Sequence, residues 1–301
     1  MRSYLHSALK RQTPVALRIF AVFLLLVGTG LPSATAAPAL WRMADSDTEV
    51  YIFGTLHVLS TETNWLTTET KAAFDGADGL IVELDGDQIS RAGPLFTEAG
   101  RLPDSQSLRS LVGNGVYNDV ERLCRKLNVP TGTFEKTRPW FAGMSLAVIG
   151  LVKAGYDPAS GADKYFIAQA ETANKPIYGL EVAEQQVALF STLSLAQEKA
   201  LLVDTLRQNA ELDVYYAQMQ GAWLYGNTEM LDQIINDSLS LAPGLEEHLL
   251  TNRNRDWAAK LAQVLDRPGR YFMAVGAGHL VGENSVIDLL QKNGAVITRV
   301  Q

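Results

Sequence analysis

The stretch YFMAVGAGHLVGENS, Tyr271 to Ser285, joins an apolar run to a helix-like segment through a Gly-x-x-His turn. VYIFGTLHVLS, Val50 to Ser60, makes the same junction near the other end of the chain. Short apolar runs rich in β-branched and aromatic residues read as buried strands. Outward from each histidine the pattern continues in step. After His57 the helix-like TTETKAAFDGA leads into the strand-like GLIVELD, and after His279 NSVIDLLQKNG leads into AVITRV. Each unit reads as strand, Gly-x-x-His, helix, strand, which points to a duplication.

The expected strands are therefore residues 50–53, 79–84, 271–275 and 295–300, with KPIYGL (175–180) as a further one. RPWFAGMSLAVIGLV (138–152) is almost entirely apolar, which fits a buried helix and is too short for a membrane span. Residues 183–266 mix charged and apolar residues at helical spacing, with breaks near Gly226 and Pro243-Gly244. Strands alternating with helices predict an α/β fold whose central sheet is at least partly parallel, carrying the duplicated units and a large helical insertion between them.

Arg2, Lys10, Arg11 and Arg18 precede the apolar run Ile19 to Val27, and Ala34-Thr35-Ala36 follows as a small-residue cleavage site. This reads as a secretory signal peptide over residues 1–36, leaving 37–301 as a single exported, periplasmic or secreted domain with no stable membrane insertion. The removed segment carries four Lys/Arg and no acid, so the formal net charge falls from −7 to −11. Such a surface argues against nucleic acid and anionic lipid as partners. Cys124 is the only cysteine, so no internal disulfide can form and stability must come from the core.

Functional groups of open parallel sheets gather where strands end at their carboxyl edge. Four polar residues take that position: His57 and His279 after their strands, Glu83 in GLIVEL, and Glu181 after KPIYGL. Gly54, Gly276 and Gly278 let the backbone turn there and leave room beside the imidazoles. Of four histidines, His6 leaves with the leader, and His248 in LEEHLL reads as a surface or packing residue. Asp85 and Asp87 read as ordinary strand-end charges, and Glu181 also fits a helix-N-terminal acid. Two imidazoles and two carboxylates can hold a divalent ion for hydrolysis, or run acid–base chemistry without one. H-E-x-x-H, G-x-S-x-G and P-loop patterns are missing from the sequence.

The sequence resembles the TraB/GumN family, related to the Tiki proteases and to PrgY, over about residues 39–301. The matching pieces are LWRM, VYIFGTLHVLS, LIVELD, KTRPWFAGMSL, GADKYFIAQAETANKPIYGLEVAEQQ, RNRDWAAKL and FMAVGAGHLVG with LLQKNGAVITRV. The resemblance implies a Tiki-like α/β fold and a metal-dependent peptidase site: His57, Glu83 and His279 as ligands of a divalent ion (Mn, Co or Zn), with Glu181 and Arg253 beside them. Glu181 is then expected to act as the base, and Arg253 to bind a substrate carboxylate or the oxyanion. A peptide or short protein segment is the expected substrate. The alternative is a non-catalytic protein that sequesters a peptide, a metal ion or haem in the same cleft, haem because the superfamily distantly resembles ChaN-like haem-binding proteins.

Overall fold

A computed structural model describes residues 37–301, so the signal-peptide reading of residues 1–36 lies outside the described residues. Side chains along the central strands alternate between two apolar faces, as the two-residue period of a strand requires. Phe53, Leu80, Val82, Phe272 and Ala274 face one core, and Val50, Ile52, Ile81, Met273 and Val275 face the other. Helices cover both faces.

The strands are β1 (Leu40–Ala44), β2 (Thr48–Thr55), β3 (Gly79–Val82), β4 (Ile177–Gly179), β5 (Gly269–Gly276) and β6 (Ile297–Arg299). They form one sheet in the order β4-β3-β5-β2-β1-β6. β2 and β3 both run parallel to β5, and β4 runs parallel to β3. β1 is antiparallel to both β2 and β6, so it alone runs against the other five. The sheet is mixed and mostly parallel. β1 was not among the expected strands; five residues with an exposed Arg42 give a weak pattern.

The first face is covered by α1 (Thr68–Asp75) and, later in the chain, by a helix over Ala162–Thr172. Between β3 and that helix come α2 (Gly86–Ala99), α3 (Leu108–Val112), α4 (Asn114–Lys126) and α5 (Pro139–Lys153); the helix over Ala162–Thr172 is α6. After β4 follow α7 (Ala183–Ser191), α8 (Leu195–Gln208), α9 (Leu212–Leu224) and α10 (Thr228–Leu239). The second face carries α11 (Asn252–Val264) and α12 (Val286–Lys292). The helical insertion is thus two blocks, one on each side of β4. It has cores of its own, around Leu108, Val120, Leu146 and Leu202, and around Trp140, Leu193 and Leu245.

Both Gly-x-x-His junctions lie inside the order strand, turn, helix, strand: β2-His57-α1-β3 and β5-His279-α12-β6. The two units differ in surroundings, since β3 lies directly beside β5 whereas β1 stands between β2 and β6. Among the described residues no helix is long and apolar enough to cross a membrane.

Candidate active site

Parallel register brings the site together. Thr55 of β2 pairs with Gly276 of β5, so His57 and His279 leave neighbouring strands at the same edge. Val82 pairs with Ala274 on one side and Gly179 on the other, which sets Glu83 beside Gly276 and Glu181 beside Glu83. A Cβ on Gly276 would stand 3.1 Å from Glu83 Oε1, 3.5 Å from His57 Nε2 and 3.7 Å from His279 Cδ2. The backbone there (φ −50°, ψ 130°) suits any residue, so this glycine supplies space rather than a special conformation.

Arg253 arrives from the other direction. A π-helical turn, Glu247–Thr251, runs straight into α11 and carries Arg253 over the carboxyl edge. Its guanidinium has five N–H donors, and each has an acceptor. Nε donates to Glu181 Oε1 (2.7 Å), Nη2 to Glu181 Oε2 (2.9 Å) and Glu83 Oε2 (2.8 Å), and Nη1 to His279 Nε2 (2.9 Å) and the Leu249 carbonyl (3.3 Å). Burial alone would lower its pKa, but the Glu181 and Glu83 carboxylates raise it. One turn on, Trp257 lies under the guanidinium at 4.8 Å and donates Nε1–H to Glu181 Oε1. Gln186 Nε2 bridges Glu83 Oε2 and Glu181 Oε2, each at 3.2 Å.

Each imidazole is backed by an oxygen on Nδ1. His279 Nδ1 lies 2.6 Å from Asn254 Oδ1, and Asn254 donates its own Nδ2 to the Asn284 carbonyl, so the Nδ1–H of His279 is the donor. His279 is buried, and burial lowers its pKa to about 3, with Arg253 adding to the effect and Glu83 opposing it. Its Nε2 is therefore unprotonated. His57 Nδ1 lies 3.2 Å from Asp163 Oδ2 in the first turn of α6. Burial would depress this pKa, but Asp163 and Glu83 raise it to about 9. Its side chain keeps 59% of its surface, because it forms the wall of an open cleft: protein surrounds it, yet water reaches it and screens those charges.

Glu83 is 14% exposed at its side chain and also accepts the Gly276 N–H at 2.8 Å. Burial works against its charge, but surrounding positive charge and that backbone donor hold its pKa at about 2. His279 is the first of the charges behind that low value, but it is an imidazolium only below about pH 3, so at neutral pH His57 and Arg253 are the cations beside Glu83.

All five residues expected from the sequence, His57, Glu83, Glu181, Arg253 and His279, thus meet in one cluster. Asp163, Asn254, Gln186 and Trp257 were not anticipated, although Asp163 in GADKYF, Gln186 in EVAEQQ and Asn254 and Trp257 in RNRDW sit in the stretches that carry the family resemblance. His248 is a packing residue, with Nε2 2.9 Å from the Leu189 carbonyl. Asp85 caps α2 by accepting the Gln88 N–H.

A divalent ion fits this donor set in kind. Two Nε2 atoms, each with an oxygen behind Nδ1, and a carboxylate between them have the neighbours that metal-binding imidazoles have. A cation already stands against two of the three, namely the Arg253 guanidinium on His279 Nε2 and Glu83 Oε2. Among the described residues no group of three or more His, Cys, Asp or Glu side chains is placed to hold a metal ion.

Two cavities open on this cluster. One, of about 300 Å³, includes Thr55, Asp163, Lys164 and Ile167, and the other, of about 660 Å³, runs between α5, α8 and α9; His57, Glu83 and Gln186 line both.

The chain is similar to the uncharacterized protein YbaP of Escherichia coli strain K12, with 28% identity over 257 residues, 84% of this chain and 92% of that protein. It is also similar to the metalloprotease TIKI2 of Danio rerio, with 24% identity over 297 residues, and to the metalloprotease TIKI1 of Xenopus tropicalis, with 25% over 309. Those matches take in 81% and 85% of this chain but only 57% and 60% of the two metalloproteases. The TraB/PrgY/gumN family model matches residues 39–299, which include every residue of the cluster, and the chain belongs to that family.

Proposed function

We propose that this chain is a hydrolase of peptides or short protein segments, with His57, Glu83 and His279 holding a divalent ion of the Mn, Co or Zn kind. The observation that carries this reading is the convergence of those three side chains on Gly276 at the mouth of two cavities. The metalloprotease relatives support both the ion and the peptide substrate.

When bound, the ion would polarise the scissile carbonyl and make water acidic enough to attack at neutral pH. The protein's own work is positioning and proton handling. Asp163 and Asn254 hold the two Nδ1 atoms, so that both rings turn Nε2 to the site; His57, an imidazolium at neutral pH in the metal-free protein, would release its Nε2 proton on holding the ion. Glu181 takes the water proton on a carboxylate oxygen, and Arg253 turns N–H groups to the oxyanion. Both roles require Arg253 to exchange its present bonds, since all five of its donors are committed and Glu181 accepts at both oxygens. That commitment favours one second reading, in which the cleft sequesters a peptide, metal ion or haem without turnover. We place the activity outside the cytoplasm, on the charged start, apolar run and small-residue site of residues 1–36; a mature N-terminus near Ala37 is the outcome that supports export, and retention of Met1 in a membrane fraction opposes it.

The deciding experiment incubates a peptide library with metal-free protein and with added Mn²⁺, Co²⁺ or Zn²⁺, and reads products by mass spectrometry beside elemental analysis of the protein. Ion-dependent products that vanish on chelation are expected. Peptides retained without products under every ion would leave the sequestering reading.

A further inference from the structure

We infer that the substrate is an extended segment bearing bulky apolar side chains, cut at an internal bond, with the apolar residues seated in the cavity between α5, α8 and α9. This rests on the hydrolase reading of the same site and names its substrate class.

The larger cavity is a wall of the helical insertion. Met144, Ala147 and Leu151 of α5 form one side, Tyr215 and Met219 of α9 another, and Leu250 joins it to the turn that carries Arg253. Its volume of about 660 Å³ lies within the range of roughly 300–1,000 Å³ that holds a ligand larger than a single side chain. The cavity is continuous with the reacting centre, because His57, Glu83 and Arg253 are part of its lining. Tyr216 ties the two together by donating its hydroxyl to the Val58 carbonyl, one residue past His57.

One part of this wall is polar, lined by Asp204, Thr205, Gln208 and Asn209, whose side chains bond one another and the backbone of α8. The cleft does not stop at the reacting centre. Beyond His57 and Glu83 it continues into the smaller cavity, where Thr55, Asp163 and Lys164 give a more polar lining. A bond held at His57 and Glu83 therefore has chain on both sides, so a free terminus is not needed for recognition.

The test uses fluorescein-labelled decapeptides, acetylated and amidated at their ends, that carry either a Leu-Phe pair or a Ser-Ser pair in a Gly/Ser/Thr background. Binding is read by fluorescence anisotropy to the His57→Ala variant, so that turnover plays no part, and cleavage is read with the wild type. The Leu-Phe peptide is expected to bind at least about ten-fold more tightly, since even one methylene in an apolar pocket is worth roughly ten-fold. Ala147→Leu and Ala147→Trp, each adding bulk to the wall, should erase that preference with the melting temperature kept; if either fails to fold, Met219→Ala should lower Leu-Phe affinity instead. Equal binding of the two peptides, a preference that survives the α5 variants, or dodecanoate binding without any peptide preference would overturn the inference. Apolar preference without products would count against the hydrolase and leave the groove assignment standing, and products without apolar preference would do the reverse.

Discussion

His279 is held between two partners that suit only its neutral form: Asn254 Oδ1 accepts from Nδ1, and Arg253 donates to Nε2. In the unfolded chain the ring ionises near its ordinary 6.5, whereas in the fold burial holds that value at about 3. Between those values the unfolded chain binds a proton that the fold refuses, so the stability this residue contributes is complete above about pH 6.5 and lost as pH falls toward 3. Glu83, depressed from 4.5 to about 2, adds its own loss only below 4.5, which leaves the upper part of the window to His279. The melting temperature of the metal-free protein should fall between pH 6.5 and 4.5, and His279→Gln should flatten that slope; an unchanged slope in the variant would remove the argument. Arg253 poses the opposite case, a buried charge with two buried partners. Arg253→Ala leaves Glu83 and Glu181 facing each other without a cation, and should cost about 3–5 kcal/mol in urea unfolding, as loss of one partner of a buried pair does. Adding Glu181→Gln should recover part of that cost. From local pattern alone an arginine in RNRDW reads as a solvated helix charge. Its partners stand 72 and 170 residues away in the chain, so only the family resemblance brought it to notice. Asp163 and Asn254 were hidden for the same reason: a first-turn acid and a helix asparagine have sufficient local explanations.

At the scale of elements, the junction of β2 and β5 was the legible part. Apolar runs ending in Gly-x-x-His mark both strands, and the parallel register alone then forces both imidazoles to one edge. β1 and the π turn before α11 escaped notice, the first because it is short and interrupted by the exposed Arg42, the second because nothing in its composition distinguishes it from the α-helix it enters. The glycines at the junction have separable effects. Gly276→Ala meets no backbone strain, but its methyl would stand 3.1 Å from Glu83 Oε1, close enough that this carboxylate must shift, so it should cost less stability than Gly161→Ala while removing ion binding and turnover. Gly161→Ala would instead put a Cβ 2.5 Å from the His57 carbonyl oxygen, a clash with backbone that something must yield to. It should therefore destabilise the loop that holds His57. Thermal melts beside isothermal titration with Zn²⁺ would separate the two; equal loss of stability in both variants would deny Gly276 its purely spatial role.

Across the whole molecule, the two ends of the described chain close the sheet on each other. β1 bonds β2 through five register pairs and β6 through three, and β6 has no other strand neighbour. Beyond β6, the Leu40 and Gln301 backbones bond one another, and the Gln301 side chain donates to the Pro38 carbonyl and the Thr70 hydroxyl and accepts from Thr67 at the cap of α1. The dependence is one-sided. Without residues 297–301, β1 keeps its full pairing with β2, whereas without residues 37–44, β6 loses the only strand that holds it and keeps the Gln301 bonds to α1, the Arg299 bond to the Gly226 carbonyl and its packing on α12. Deleting 297–301 should therefore lower the denaturant midpoint modestly, and deleting 37–44 should lower it more. The doubly shortened chain should be scarcely worse than the chain lacking 37–44 alone, because coupled elements do not add. Four chains in parallel urea titrations, each started at Ala37 or later, would measure this; additive losses would mean that β6 is held independently of β1, by its packing on α12 rather than by the ladder.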